Sequence, residues 1–332
     1  MITFREDQGT HIATVVGKSK TPLYWYPYKE EDRQIKVQDY SDFNTQEMRD
    51  RFMLSKGQAS AIMDHLSNNT EPEDVLQAKY FQVKRFLSER LYYELDLRDD
   101  TERIQIDLPK PNDVFVGHEA IVGSTASGKS FYVLEQLIRN ITGPKRSRRN
   151  WIWISSEFNR DKTLAPVREK LRFQKYVLGI DVSERSYEES EHNTREEFFE
   201  HHVKRHIDYA VPGTIVVADD FQDAACASEL RRWINTALRV ARHQQISYKI
   251  IFHNIRAGSF SSQAHNSVKF FTVFPRSQRG KIVQYLNSDH AIPLKRAREL
   301  VEDFAMQKKG RHMSIHLHSP NFISGSDLLT LF

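Results

Sequence analysis

Two patterns of apolar and polar positions divide the chain. From about Thr101 onward, short runs rich in β-branched and aromatic residues alternate with stretches of helical period. That alternation predicts strands separated by helices, and so a mostly parallel α/β sheet. The predicted strands are Ala120–Gly123, Trp151–Ser155, Thr214–Asp219, Lys249–His253 and Phe270–Phe274, and Phe131–Ile138 reads as a helix. The segment "ASELRRWINTALRVARHQ" places Leu230, Ile234, Ala237, Leu238 and Ala241 on one apolar helical face. Arg231, Asn235, Arg239 and Arg242 share a neighbouring face.

Residues 1–105 read separately. "HIATVV" and "LYWYPY" have the character of strands, and two helical stretches follow, Thr45–Leu66 and Glu73–Leu95. Between them, in "SNNTEPED", Asn69 or Thr70 is placed to cap and Pro72 to open the second helix. The expected organisation is an N-terminal α+β region, 1–105, and an α/β domain, 106–332. The charged segment 184–206, "ERSYEESEHNTREEFFEHHVKRH", reads as an exposed insertion with helix. His201, His202 and His206 lie in it, but no cysteine is near and the surroundings are charged, so a zinc site is not expected.

Composition narrows the setting. Hydrophobic residues make up 39% of 332, enough for a sizeable core. Cys226 is the single cysteine, so no disulfide forms within one chain and a reducing compartment is expected. No apolar run is long enough to span a membrane, and "MITFREDQGT" is not a signal peptide. The net charge of +4 permits a polyanionic partner, and the basic run Lys145–Arg149 is the sharpest local excess.

The candidate chemistry begins at "AIVGSTASGKSFYVL". Its Gly123-x4-Gly128-Lys129-Ser130 spacing is that of a nucleotide-binding P-loop. Glycines let the backbone of Gly123, Ser124, Thr125, Ala126, Ser127 and Gly128 wrap an anion with its N–H groups pointing inward. Lys129 reaches the β- and γ-phosphates of ATP, and the Ser130 hydroxyl ligates Mg²⁺. "TIVVADD" then ends an apolar strand in two carboxylates. Asp219 is the expected Mg²⁺ holder and Asp220 the acid that polarises an attacking water. The next strand, "YKIIFHN", ends in His253 and Asn254, and Asn254 or His253 is placed to contact the γ-phosphate or the water. The expected fold is therefore a RecA-like P-loop NTPase of the ASCE class, a parallel sheet flanked by helices.

These stretches, with "RVARHQQISYKIIFHN", "NSVKFFTVFP" and "SIHLHSPNFIS", resemble the genome-packaging ATPases of large DNA viruses, virophages and related mobile elements in the FtsK–HerA superfamily. The resemblance covers roughly residues 110–330. It departs where the family has a glutamine after the fourth strand and this chain has His253-Asn254, and where Gln263, Ala264 and His265 replace an arginine. It implies an ATP- and Mg²⁺-dependent motor moving double-stranded DNA without sequence preference. It further implies a homo-oligomeric ring, hexamer or pentamer, with a capsid or portal partner in the host cytoplasm or viral factory. Arg242, matching the family's Arg-His segment, would act on a neighbouring subunit's nucleotide, with Arg239, Arg276 and Arg279 as further candidates. Another nucleic-acid motor (a conjugation or mobilisation ATPase, or a helicase) and a P-loop scaffold with little turnover remain the alternatives.

Overall fold

The computed structural model describes residues 2–3, 9–17, 20–25, 45–68, 70–84, 94–97, 103–106, 116–255, 267–306, 312–317, 321–326 and 328–331. The chain divides into two compact units, Met1–Ile106 with Asp327–Phe332, and Asp107–Ser326.

In the first unit, β1 (Ile2–Thr3), β2 (Thr10–Val16), β3 (Lys20–Trp25) and β5 (Arg103–Gln105) form an antiparallel sheet in the order β1-β3-β2-β5. A further strand, β4 (Glu94–Asp96), pairs antiparallel with Leu328–Leu331. The predicted helix Thr45–Leu66 is in fact two, Thr45–Phe52 and Lys56–Ser67. The break follows from local chemistry. Met53 takes a positive φ of 51°, and Ser55 and Gln58 form a reciprocal capping box that starts the second helix. Leu54, Ala59, Ile62, Leu66, Tyr80 and Val83 make a small core. The second predicted helix, Glu73–Leu95, is helical through Lys84, whereas Leu95 lies in β4; residues 85–93 and Asn69 fall outside the described residues.

The second unit is built on β6 (Glu119–Val122), β7 (Trp151–Ser155), β8 (Val177–Asp181), β9 (Ile215–Asp219), β10 (Ser247–Phe252), β11 (Phe270–Val273), β12 (Met313–His316) and β13 (Phe322–Ser324). Their order is β13-β12-β11-β6-β10-β9-β7-β8. Pairing is parallel from β11 across to β8 and antiparallel for β12 and β13. The order places β10 between β6, which carries the glycine-rich turn, and β9, which ends in Asp219. The sequence pattern missed β8, because "VLGID" is broken by Gly179 and, as an edge strand, is only partly buried.

Both faces of the sheet are covered by helices. Val133, Leu134, Leu137 and Ile141 of the helix Lys129–Thr142 pack with Ile121, Trp151, Trp153, Ile215, Val217 and Ile251. The helix Ala227–Gln244 buries Leu230, Ile234, Ala237 and Leu238, and its Trp233 meets Tyr248 edge-on at 5.4 Å. Strand alternation points Tyr248 to the face opposite Ile251, so the two helices sandwich the sheet. Segment 184–208 folds into short helical pieces whose Phe198, Phe199, Val203 and Ile207 are buried while the charges face outward. Arg195 ties this segment down, pairing with Glu184 and donating to the carbonyl of Ala225.

Candidate active site

Parallel pairing aligns the carboxyl ends of β6, β9 and β10, because Val122 is level with Phe252 and Ile250 with Ala218. The loops that leave these ends share one edge of the sheet, the usual ligand edge of a parallel α/β fold.

The turn after β6 is shaped by its glycines and by one bond. Gly123 N–H donates to the carbonyl of Phe252 at 3.1 Å, and a Cβ at Gly123 would lie 2.4 Å from Ser127 Oγ and 3.1 Å from the Phe274 ring, so a larger residue would displace Ser127. Gly128 adopts φ +102° and starts the helix Lys129–Thr142. The first-turn amides of that helix concentrate positive potential at the loop. Lys129 Nζ lies back over the loop, donating to the carbonyl of Ser124 at 2.9 Å. Burial holds the Lys129 amine below its usual range, although the carboxylates of Asp220 and Asp219 pull the other way.

Asp219 ends β9 only 2% exposed, and its buried Oδ1 has no hydrogen-bond partner among the described residues. Burial first, then the charge of Asp220, push its carboxyl up to about 7, against a hydrogen bond from Ser130 and the charge of Lys129. An oxygen-only set of one hydroxyl and one buried, unsatisfied carboxylate fits a hard divalent cation such as Mg²⁺. Ser130 and Asp219 are the residues that would hold it.

Asp220 follows with a left-handed backbone, φ 47° and ψ 29°. Its carbonyl accepts from Ser156 Oγ at 3.1 Å and its Oδ1 lies 2.8 Å from His253 Nε2. His253 in turn is fixed through its carbonyl, which accepts from Gln278 Nε2 at 2.7 Å. Asn254, the expected γ-phosphate contact, is exposed and accepts from Lys281 Nζ at 3.3 Å. An open cavity of about 640 Å³ borders the loop, lined by Ser124, Thr125, His253, Asn254, Gln278 and Lys281 among others.

Lys129, Ser130, Asp219 and Asp220 therefore come to one place, with His253 on the acid. Ser156, Gln278 and Lys281 were not singled out in the sequence. The turn that carries Gln278 and Lys281 is a kink in the helix Pro275–His290, where Gln278 has φ −144° and ψ 38°, and no local sequence signal marks it.

The basic candidates divide. Arg276 donates to the carbonyl of Ala305 at 2.9 Å, whereas Arg279 lines the cavity and makes an exposed pair with Glu302 at 2.8 Å. Arg239 is exposed on the helix Ala227–Gln244; the side chain of Arg242 lies outside what the structure describes. Within Lys145–Arg149, Arg149 is buried and donates to the carbonyl of Gly213 at 3.1 Å. Arg148 lies over the Tyr176 ring and donates to the carbonyl of Gly143 at 3.1 Å, which leaves Lys145 and Arg146 as the exposed charges. Among the described residues, no helix is long and apolar enough to cross a membrane.

The β6–loop–helix unit, the carboxylates on β9 and the strand β10 between them define a RecA-like P-loop NTPase architecture. No family model and no curated protein matches the chain. Among solved structures, it is similar to the genome-packaging NTPase B204 of Sulfolobus turreted icosahedral virus 2 in complex with AMPPCP, at 13% identity, over 63% of this chain and 96% of that one, with a TM-score of 0.38. It is also similar to the pCW3 conjugation coupling protein TcpA with ATPγS, at 18% identity, 70% and 65% coverage and a TM-score of 0.38. A third is the cytoplasmic domain of the type VII secretion ATPase EccC of Thermomonospora curvata, at 12% identity, 63% and 25% coverage and a TM-score of 0.38.

Proposed function

We propose that the chain is an ATPase that uses ATP and Mg²⁺ to move double-stranded DNA, and that it packages a viral genome into a capsid. The observation that carries the enzymatic part is the meeting of the glycine turn and Lys129 with the buried Asp219 and the adjacent Asp220. The turn cradles the phosphates, and Lys129 moves from the Ser124 carbonyl to the β- and γ-phosphates. Bound Mg²⁺ would neutralise charge on the phosphate oxygens. Asp220 accepts a proton from the attacking water as the new O–P bond forms, while the bond between the γ-phosphorus and the bridging oxygen breaks and its electrons leave with ADP.

The motor part is supported by exposed cations without a base-reading motif. Arg231, Arg232 and Arg239 face solvent on the helix Ala227–Gln244, and Lys145 and Arg146 on their turn. Such charges grip phosphates rather than read bases. The resemblance of "IVGSTASGKS", "IVVADDFQ" and "RVARHQQISYKIIFHN" to packaging ATPases supports the genome-packaging role, a ring in which Arg242 serves a neighbour, a capsid or portal partner and an intracellular setting.

The test is ATP hydrolysis with and without long duplex DNA at several salt concentrations. The proposal expects hydrolysis that is lost in Lys129→Ala and Asp220→Asn, with Asp220→Asn still binding ATP. It expects DNA stimulation without sequence preference that falls steeply with salt. Hydrolysis indifferent to duplex DNA rejects the motor and favours the scaffold, whereas strand displacement favours a helicase.

A further inference from the structure

Two residues that follow parallel strands meet at the candidate site. Asp220 follows β9 and His253 follows β10; their side chains are 2.8 Å apart and both partly exposed, and His253 lines the cavity. Asp220 is thus held at both ends, through its carbonyl by Ser156 and through Oδ1 by His253. The backbone that carries the ring is itself anchored, since Gln278 Nε2 donates to the His253 carbonyl from the kinked turn of the helix Pro275–His290. Asp220 has a left-handed backbone, so its carboxylate direction is not set by strand geometry and needs a side-chain restraint.

We propose that His253 is a positioning residue for Asp220: its Nε2–H occupies Oδ1 and leaves Oδ2 turned to the water that attacks the γ-phosphate. This rests on the proposed ATPase and names the part that orients its base. His253 supplies a hydrogen bond and no bond to substrate. The proton from water goes to Asp220 Oδ2, and His253 keeps its own. The amide that secures His253 comes from a helix that also lines the cavity, so the orientation of the base is tied to the turn carrying Gln278 and Lys281.

The experiment measures steady-state ATP hydrolysis and Mg·ATP binding for His253→Ala, His253→Gln, Gln278→Ala, Asp220→Asn and the double variant of His253→Ala with Asp220→Asn. A misdirected base lowers kcat, by on the order of tenfold to a hundredfold in His253→Ala, with ATP affinity within about threefold of wild type. His253→Gln keeps an N–H donor at similar reach and recovers most of that loss. Gln278→Ala shows a smaller loss in kcat alone. Because His253 acts through Asp220, the double variant is no slower than Asp220→Asn by itself. Unchanged or raised kcat in His253→Ala, or equal losses in His253→Ala and His253→Gln, overturns the positioning role. Wild-type hydrolysis in Asp220→Asn is a different failure, since it removes Asp220 as the base and with it the proposed mechanism.

Discussion

The strand β6 has a buried polar cluster at each end, and the two differ in how they are satisfied. At its start, Glu119 is 3% exposed and ion-paired with Lys249; it also accepts from the hydroxyls of Tyr132 at 2.9 Å and Thr272 at 2.6 Å. Thr272 continues the network to Ser314 at 2.9 Å, across β11 and β12. Burial alone would raise the Glu119 carboxyl, but the charge of Lys249 and the three hydrogen bonds hold it below its usual range. Beyond the other end, Asp219 is equally buried, yet among the described residues its Oδ1 has no hydrogen-bond partner, and its carboxyl is pushed up to about 7. One cluster finds its countercharge within the chain. At the other, Lys129 acts on Asp219 without outweighing its burial, and under the proposed function this is where Mg²⁺ would bind.

Breaking the internal cluster has the largest expected effect on stability. Lys249→Met leaves Glu119 buried without its cation, which costs about 3–5 kcal/mol in denaturant unfolding. A variant as stable as wild type removes the distinction between the two ends.

Next is a pH effect beside the same network. His118 is 2% exposed, and burial lowers its imidazole from 6.5 to about 4. The folded chain then holds His118 neutral while the unfolded chain takes up a proton, so its stability is intact above about pH 6.5 and falls as the pH drops toward 4. The loss by pH 4 is on the order of 3 kcal/mol, and His118→Gln flattens that part of the curve. An unchanged acid limb in His118→Gln rejects the assignment.

The open end has the opposite sign. A carboxyl raised from 3.8 to about 7 favours the fold fully below about 3.8, and that advantage is lost as the pH rises through 7. Asp219→Asn therefore stabilises the chain without Mg²⁺ at pH 8, by about 1–3 kcal/mol, and less at pH 5, while it abolishes hydrolysis. Destabilisation at pH 8 would mean that Asp219 is structurally satisfied like Glu119. The smallest effect is at Arg279 and Glu302, both largely exposed, where a double-mutant cycle yields under about 1 kcal/mol.

The two ends were not equally legible in the sequence. The glycine spacing, Lys129-Ser130 and the Asp219-Asp220 pair are local in sequence, and a local pattern is visible without a fold. The five predicted strands and the apolar face of the helix Ala227–Gln244 were visible for the same reason, as periodicity. The Glu119 network joins residues on four strands and a helix, so only strand order reveals it. His253 stood in view as a polar strand end, but its partner Asp220 lies on the neighbouring strand's loop. The capping box of Ser55 and Gln58 is a local signal too, but it lies inside a longer helical period that hides it.

The most direct measurement is the change in unfolding temperature on adding a non-hydrolysable ATP analogue, with Mg²⁺ and with EDTA. At about a hundredfold over Kd, binding stabilises by about 2.7 kcal/mol. The account predicts a large rise in wild type that needs Mg²⁺, a rise nearly lost in Lys129→Ala, and an Asp219→Asn chain that responds alike with Mg²⁺ or EDTA. A rise of the same size in Lys129→Ala, or one in wild type indifferent to Mg²⁺, would contradict the claim that this end of the sheet is completed by a metal-bound nucleotide.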